Sequence, residues 1–287
     1  MLSDEKILEL QTTANNIRMS IIEALLEAKS GHSAGPLGMA DMFTYLYFHA
    51  LRHDPQRPDW VERDRFVLSN GHICPVYYST LAHAGYFPIA ELKTLRKFGS
   101  RLQGHPHREW LPYVETSSGP LGAGLSQAVG MAISDKMDFG DTATRRIYAF
   151  LSDGELEEGN TWEGVMLAAK YKLHNLTVAV DYNNIQIEGY VENVMPLAPL
   201  AEKWRSFNWH VIEIDGNDFN AIDSAFEEAK TVFEKPTVIL ARTIPGKGVD
   251  FMEGDYHWHG VPPNAEQGKK ALAELRTLGG KIKSEHQ

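Results

Sequence analysis

Asp153-Gly154 and, 30 residues further on, Asn183-Asn184 each follow a short run of β-branched and aromatic residues. A carboxylate at the tip of a strand, followed by a glycine and a helix, suits a hard divalent cation that also grips a diphosphate. Magnesium wants about six oxygens near 2.1 Å and is commonly held by few protein groups plus phosphate. Asp153, the amide oxygen of Asn183 and a backbone carbonyl near Ile185 would supply the protein's share. Gly154 lets the chain approach a phosphate closely, and the following helix adds the partial positive charge of its N-terminus. A third pair, Gly216-Asn217, follows another such run. Asp-Gly is also a common turn and Asn-Asn a common loop, so residue types and spacing alone leave both readings open.

Histidine is the second chemical signal. Of twelve, His32, His72, His105 and His259 sit in loops rich in glycine or proline. A lone loop histidine is usually just solvated, and nothing in its immediate neighbours decides otherwise. His49, His53, His83, His107, His174, His210, His257 and His286 lack even that setting and are read as structural or solvated.

The elements that must position these groups follow from periodicity. Leu10, Ala14, Ile17, Ile21 and Leu25 recur at spacings of three and four, which predicts a helix over 4–29. It should stop at Ser30-Gly-His-Ser-Ala-Gly-Pro-Leu-Gly38, a stretch expected to be non-helical, with a second helix over about 39–51. Arg65-Phe-Val-Leu68 reads as a strand and Ser69-Asn-Gly-His72 as the loop after it. A helix interrupted near Gly85 is expected over 73–97, and 99–124 is irregular, which at that length points to function or disorder. Strands are expected over 146–151, 176–181, 209–214 and 236–241, with helices over 160–173 and 219–233. Gly268–Gln287 reads as a C-terminal helix and solvated tail. Strands alternating with helices predict an α/β fold, a parallel sheet with helices on both faces, in one domain over 1–287. Ligands of such sheets bind beyond the carboxyl ends of the strands, where all three pairs fall.

Composition narrows the partners. The chain of 287 residues is 43% apolar and 23% charged, ordinary for a globular protein. With 28 Lys plus Arg against 38 Asp plus Glu, the formal charge is −10, which argues against nucleic acid as the main ligand. A phosphorylated cofactor remains compatible if backbone N–H groups and a metal supply the positive field. No apolar run is long enough for a membrane span, and MLSDEKILELQ lacks the apolar core of a secretory signal. Cys74 is the one cysteine, so no internal disulfide is possible and a cytoplasmic location is the default expectation.

Ser152-Asp153-Gly154 through Asn183-Asn184 resembles the thiamine diphosphate motif, with Ser152 where the motif has its first glycine. Ser30–Gly38, Arg63-Asp-Arg-Phe-Val-Leu-Ser-Asn-Gly-His72, Gly104-His-Pro106, Ser118-Gly-Pro-Leu-Gly-Ala-Gly124 and His259-Gly-Val-Pro262 resemble the transketolase family in particular. They stand in that family's order, and the likeness covers roughly residues 5–265. The resemblance implies a diphosphate-binding domain with thiamine diphosphate and Mg2+ (or Ca2+) as cofactors, the metal on Asp153, Asn183 and Ile185. His72 would contact the cofactor, and His32, His105 and His259 would line the channel to its reactive carbon. Imidazoles there can donate to a substrate carbonyl oxygen and relay protons near neutral pH. Gly119, Leu121 and Gly122 match a loop along the cofactor, and Glu158 matches a carboxylate near the aminopyrimidine and the subunit interface. For Glu158 the plain alternative is an exposed first-turn carboxylate. Lys247, between glycines, would approach the diphosphate or else is an exposed turn.

Family members carry a pyrimidine-binding domain, with the glutamate that activates the cofactor, C-terminal to the region matched. The chain is therefore expected to be the N-terminal subunit of a two-chain transketolase. Paired with a C-terminal subunit it would assemble as α2β2 and move a two-carbon ketol unit between sugar phosphates. The alternatives are a deoxyxylulose-phosphate-synthase-like chain, a 2-oxo-acid dehydrogenase α-like chain, or a non-catalytic cofactor-binding or regulatory chain.

Overall fold

A computed structural model describes residues 1–140 and 144–285; His286 lies outside them. The chain opens with helix α1 (Asp4–Ala28), a single turn α2 (Ala34–Gly38) and α3 (Ala40–Tyr45), which runs into a π-helical turn. Strand β1 (Arg65–Leu68), helix α4 (Cys74–His83), a long irregular stretch and helix α5 (Ala123–Phe139) follow. Then come β2 (Ile147–Ser152), α6 (Gly159–Lys170), β3 (Leu176–Asp181) and a small hairpin of β4 (Ile185–Gln186) and β5 (Gly189–Tyr190). The remainder is α7 (Val191–Val194), α8 (Leu200–Ser206), β6 (His210–Asp215), α9 (Phe219–Thr231), β7 (Thr237–Arg242) and α10 (Ala265–Glu285).

Five strands form one sheet in the order β1-β2-β3-β7-β6, and every neighbouring pair is parallel. All six residues of β2 and of β3 are buried, as a sheet covered on both faces requires. The two-residue period sorts their side chains. Tyr148, Phe150, Ala179 and Ile239 join the core under α1, α3, α4 and α9, whereas Ala149, Leu151, Val178, Val180 and Leu240 join the one under α5, α6 and α8. The predicted stripe of α1 is fully buried. Full burial of a side chain such as Ile17 or Ile21 contributes on the order of 1.5–3 kcal/mol, so α1 is fixed from its middle outward. Among the described residues no helix is long and apolar enough to cross a membrane.

Three expectations need correction. Residues 34–38 are helical after all: Pro36 falls in the first turn, where backbone N–H groups have no intrahelical acceptor to lose. Gly38 serves contact here rather than helix breaking, because a Cβ would lie 2.8 Å from the carbonyl oxygen of Ile244. Helix α5 was not expected, although Leu125, Ala128, Val129 and Ala132 bury one face at helical spacing. The segment directly after Asp153 is a 3-10 turn, Gly154–Glu157, and α6 begins only at Gly159.

Candidate functional site

The parallel sheet brings the tips of β1, β2, β3 and β7 to one edge, and the oxygen donors collect there. Asp153 is 0% exposed. One carboxylate oxygen accepts from the N–H of Gly154 at 2.8 Å and the other from the N–H of Asn184 at 2.6 Å. Asn184 holds a left-handed backbone, φ 62, which turns its N–H toward the acid. Asn183 accepts at Oδ1 from the Ile185 N–H at 2.9 Å and donates from Nδ2 to Asp181 Oδ2 at 2.7 Å. Asp181, the last residue of β3, also accepts from the Thr243 hydroxyl beyond β7.

Two buried carboxylates thus stand together, and among the described residues no ion pair reaches either. Burial first, and Asp181 second, push the Asp153 carboxyl well above the usual carboxylate range; burial raises Asp181 as well. Such an arrangement stores an unmet demand for positive charge. The donors are hard oxygens, carboxylate and carboxamide, suited to Mg2+ or Ca2+. Among the described residues no three His, Cys, Asp or Glu side chains could hold a metal by themselves. A magnesium ion shared with phosphate oxygens matches that sparse protein contribution. The residues fit the implied ion.

Above these acids opens a cleft of about 340 Å³ lined by His32, His72, His105, His259, Gly119, Leu121, Gly154, Glu158 and Ile185, together with Ser152, Glu155, Glu157, Gln186 and Ile187. Loops separated by more than two hundred residues meet there. The rings of His32 and His72 are 4.9 Å apart between centroids, His72 and His259 5.2 Å, and His32 and His259 5.5 Å. Burial and the neighbouring His259, Arg96 and His105 hold His32 down at about 3, and burial holds His259 at about 4. His72 and His105 are lowered as well, chiefly by burial. All four are therefore neutral near pH 7, each with one N–H donor and one acceptor nitrogen. Among the described residues the buried Nδ1 atoms of His32 and His259 have no partner, leaving hydrogen-bonding capacity for a ligand.

This has a measurable consequence. As pH falls below 6.5 the unfolded chain protonates residue 259, whereas the folded chain resists until about 4. The folded state loses stability across that window, on the order of 2–3 kcal/mol from this group. His259→Asn should remove that share, so its melting temperature should decline less than that of the unmutated chain between pH 6.5 and 4.5. Parallel melting curves would show that the ring is not desolvated.

Gly122 lies beneath the cleft wall, its N–H donating to Glu155 Oε1 at 2.6 Å. Lys247 does not line the cleft; it borders a separate depression with Gly248, Lys270 and Glu274 against α10. The other described histidines lie outside the cleft: His53 bonds Tyr86 and Tyr47, His83 bonds Ser20, and His210 bonds Glu228. Two participants were missed in the sequence. Asp181 sits two positions before Asn183, and Glu155 two after Asp153. Glu155 is buried and accepts from Ser69 Oγ, Gly122 N and Ser152 N, and burial raises it to about 7. Ser152, in the place of the motif's glycine, lines the cleft and gives its backbone N–H to Glu155.

Residues 10–280 match the family described as transketolase, thiamine diphosphate binding domain. The chain is 42% identical over 275 residues to the 6-deoxy-6-sulfo-D-fructose transketolase subunit of a Clostridium strain, covering 96% of this chain and 99% of that one. It is 39% identical over 279 residues to an apulose-4-phosphate transketolase subunit of Phocaeicola vulgatus, covering 97% of each. Transketolase from Leishmania mexicana superimposes with a TM-score of 0.86 at 33% identity, covering 96% of this chain and 45% of that one. The chain thus spans nearly the whole of the named subunits and under half of the solved enzyme. With sequence, fold and strand-tip acids in agreement, the chain belongs to the transketolase family, as its thiamine diphosphate binding domain.

Proposed function

We propose that this chain is the diphosphate-binding subunit of a two-chain transketolase, transferring a two-carbon ketol unit from a ketose phosphate to an aldose phosphate. The observation that carries it is the uncompensated acid pair Asp153 and Asp181, with Asn183, directly beneath a cleft lined by four neutral histidines. Asp153, Asn183 and the Ile185 carbonyl would hold Mg2+, or Ca2+, and through it the diphosphate. When bound, thiamine diphosphate supplies the carbanion chemistry of carbon–carbon cleavage. The protein's own part is to bind, orient and exchange protons. Gly154 and the loop of Gly119, Leu121 and Gly122 would give the diphosphate close backbone approach. His72, which lines the same cleft, would contact the cofactor, and neutral His32, His105 and His259 would donate to substrate oxygens.

Glu158 is exposed at the cleft rim, where a second chain carrying the pyrimidine-binding domain would cover it. These two near full-length relatives are named as transketolase subunits, which supports a two-chain enzyme, and a two-fold α2β2 assembly is the arrangement we propose for it. We place it in the cytoplasm. The test is reconstitution with such a second chain, Mg2+ and thiamine diphosphate, scored for ketol transfer from a panel of ketose phosphates and for pyruvate decarboxylation. Transfer by the mixture and not by either chain is expected. Pyruvate turnover alone would favour the dehydrogenase-like reading, and association without turnover a regulatory chain.

A further inference from the structure

Arg96 is not among the residues assigned to the site, yet the two loops that carry His32 and His105 are built around it. Its Nη1 donates to Ser30 Oγ at 3.0 Å and its Nη2 to the Gly104 carbonyl at 3.3 Å. Each of those partners lies within two residues of a cleft histidine. Gly31 and Gly104, which directly precede His32 and His105, pack on the guanidinium itself: a Cβ on Gly104 would lie 3.0 Å from Arg96 Cζ, and one on Gly31 3.6 Å from Nε. The Gly104 carbonyl is held from its other side by Cys74 Sγ, at 3.1 Å. Arg96 adopts a left-handed backbone, φ 56, fixed by its N–H donating to the Leu102 carbonyl at 2.8 Å. A non-glycine residue kept in that region marks a place where the surrounding structure imposes the conformation. Its Nε is buried without a partner, and among the described residues no carboxylate pairs with it.

We propose that Arg96 is a positioning residue that staples the Ser30–His32 and Gly104–His105 loops together and so sets where the His32 and His105 rings stand in the cleft. The planar fork of a guanidinium reaches two acceptors in fixed directions, which a lysine cannot copy. Its charge acts on the same two rings: Arg96 is among the groups that keep His32 and His105 neutral, and it has no such part at His259. The charged or titratable neighbours of His32 are His259, His72, His105 and Arg96, and Arg96 is the one that bears on His105. The proposal rests on the reading of His32 and His105 as substrate-facing groups. Its test is independent of any sugar, because it reads the imidazoles of the ligand-free chain.

The full chain, labelled at histidine, is titrated by NMR alongside Arg96→Gln and Arg96→Lys, with melting temperatures as the control. In Arg96→Gln the His32 and His105 titrations should move to higher pH while that of His259 stays. In Arg96→Lys both should stay low, with ring signals broadened by loss of the two-loop bridge. Unmoved His32 and His105 in a folded Arg96→Gln chain, or a common shift of all four cleft histidines, would overturn the proposal. If Arg96→Gln does not fold, Arg96→Lys decides alone, sharp unaltered ring signals counting against it.

Discussion

Asp153→Ala is expected to weaken magnesium-dependent binding of thiamine diphosphate by at least about 100-fold, since loss of even an outer-shell partner commonly costs about 10–100-fold in metal affinity. Asp153 is the one negatively charged side chain proposed to touch the ion; Asn183 and Ile185 contribute neutral oxygens. Without it the ion would rely on those two and on the diphosphate, which in water it can bind without the protein. The fold should survive. The substitution leaves the N–H groups of Gly154 and Asn184 without their acceptor, at about 1–3 kcal/mol each. It also removes a carboxyl that burial and Asp181 both disfavour, which offsets part of that cost. Calorimetric titration with cofactor at fixed Mg2+, beside a melting curve, separates the two effects. Unchanged affinity in a folded variant would count heavily against the site.

Glu155→Ala should lower stability by about 3–5 kcal/mol, because three buried donors lose one acceptor and a cavity opens. For a chain of this size that is a fall of roughly 6–15 °C in melting temperature. Ser69 can turn its hydroxyl elsewhere, but the backbone N–H groups of Gly122 and Ser152 cannot. The loop beginning at Gly119 should therefore loosen from the tips of β1 and β2. Glu155→Gln keeps the shape and one acceptor oxygen, so an intermediate loss is expected. Thermal denaturation of the three chains would decide, and an alanine variant melting with the parent would show that the carboxylate clips nothing.

The strands were legible because their chemistry is one-sided. Thr177, Val178 and Val180 are β-branched and β3 is buried throughout, and β2, β6 and β7 begin one residue later than the apolar runs suggest. The strand order was not legible: β7 lies between β3 and β6, a consequence of long-range packing that no local pattern encodes. Asp153 and Asn183 could be singled out as strand-tip donors, and the fold brings them side by side. Asp181 went unread because a strand's last residue looks like an ordinary boundary until its partners Thr243 and Asn183 are in place. The histidines depended on the family resemblance, since nothing near His32 in the chain announces His259. Lys247 shows the opposite limit: its flanking Gly246 and Gly248, both at positive φ, make a turn whose side chain lies against α10.

The most direct measurement is a crystal grown with Mn2+ in place of Mg2+ and with thiamine diphosphate, read by anomalous scattering. One strong peak is expected, bonded to an Asp153 carboxylate oxygen, Asn183 Oδ1 and the Ile185 carbonyl, with diphosphate oxygens completing the shell. A peak elsewhere, or a diphosphate seated away from the tips of β2 and β3, would contradict it.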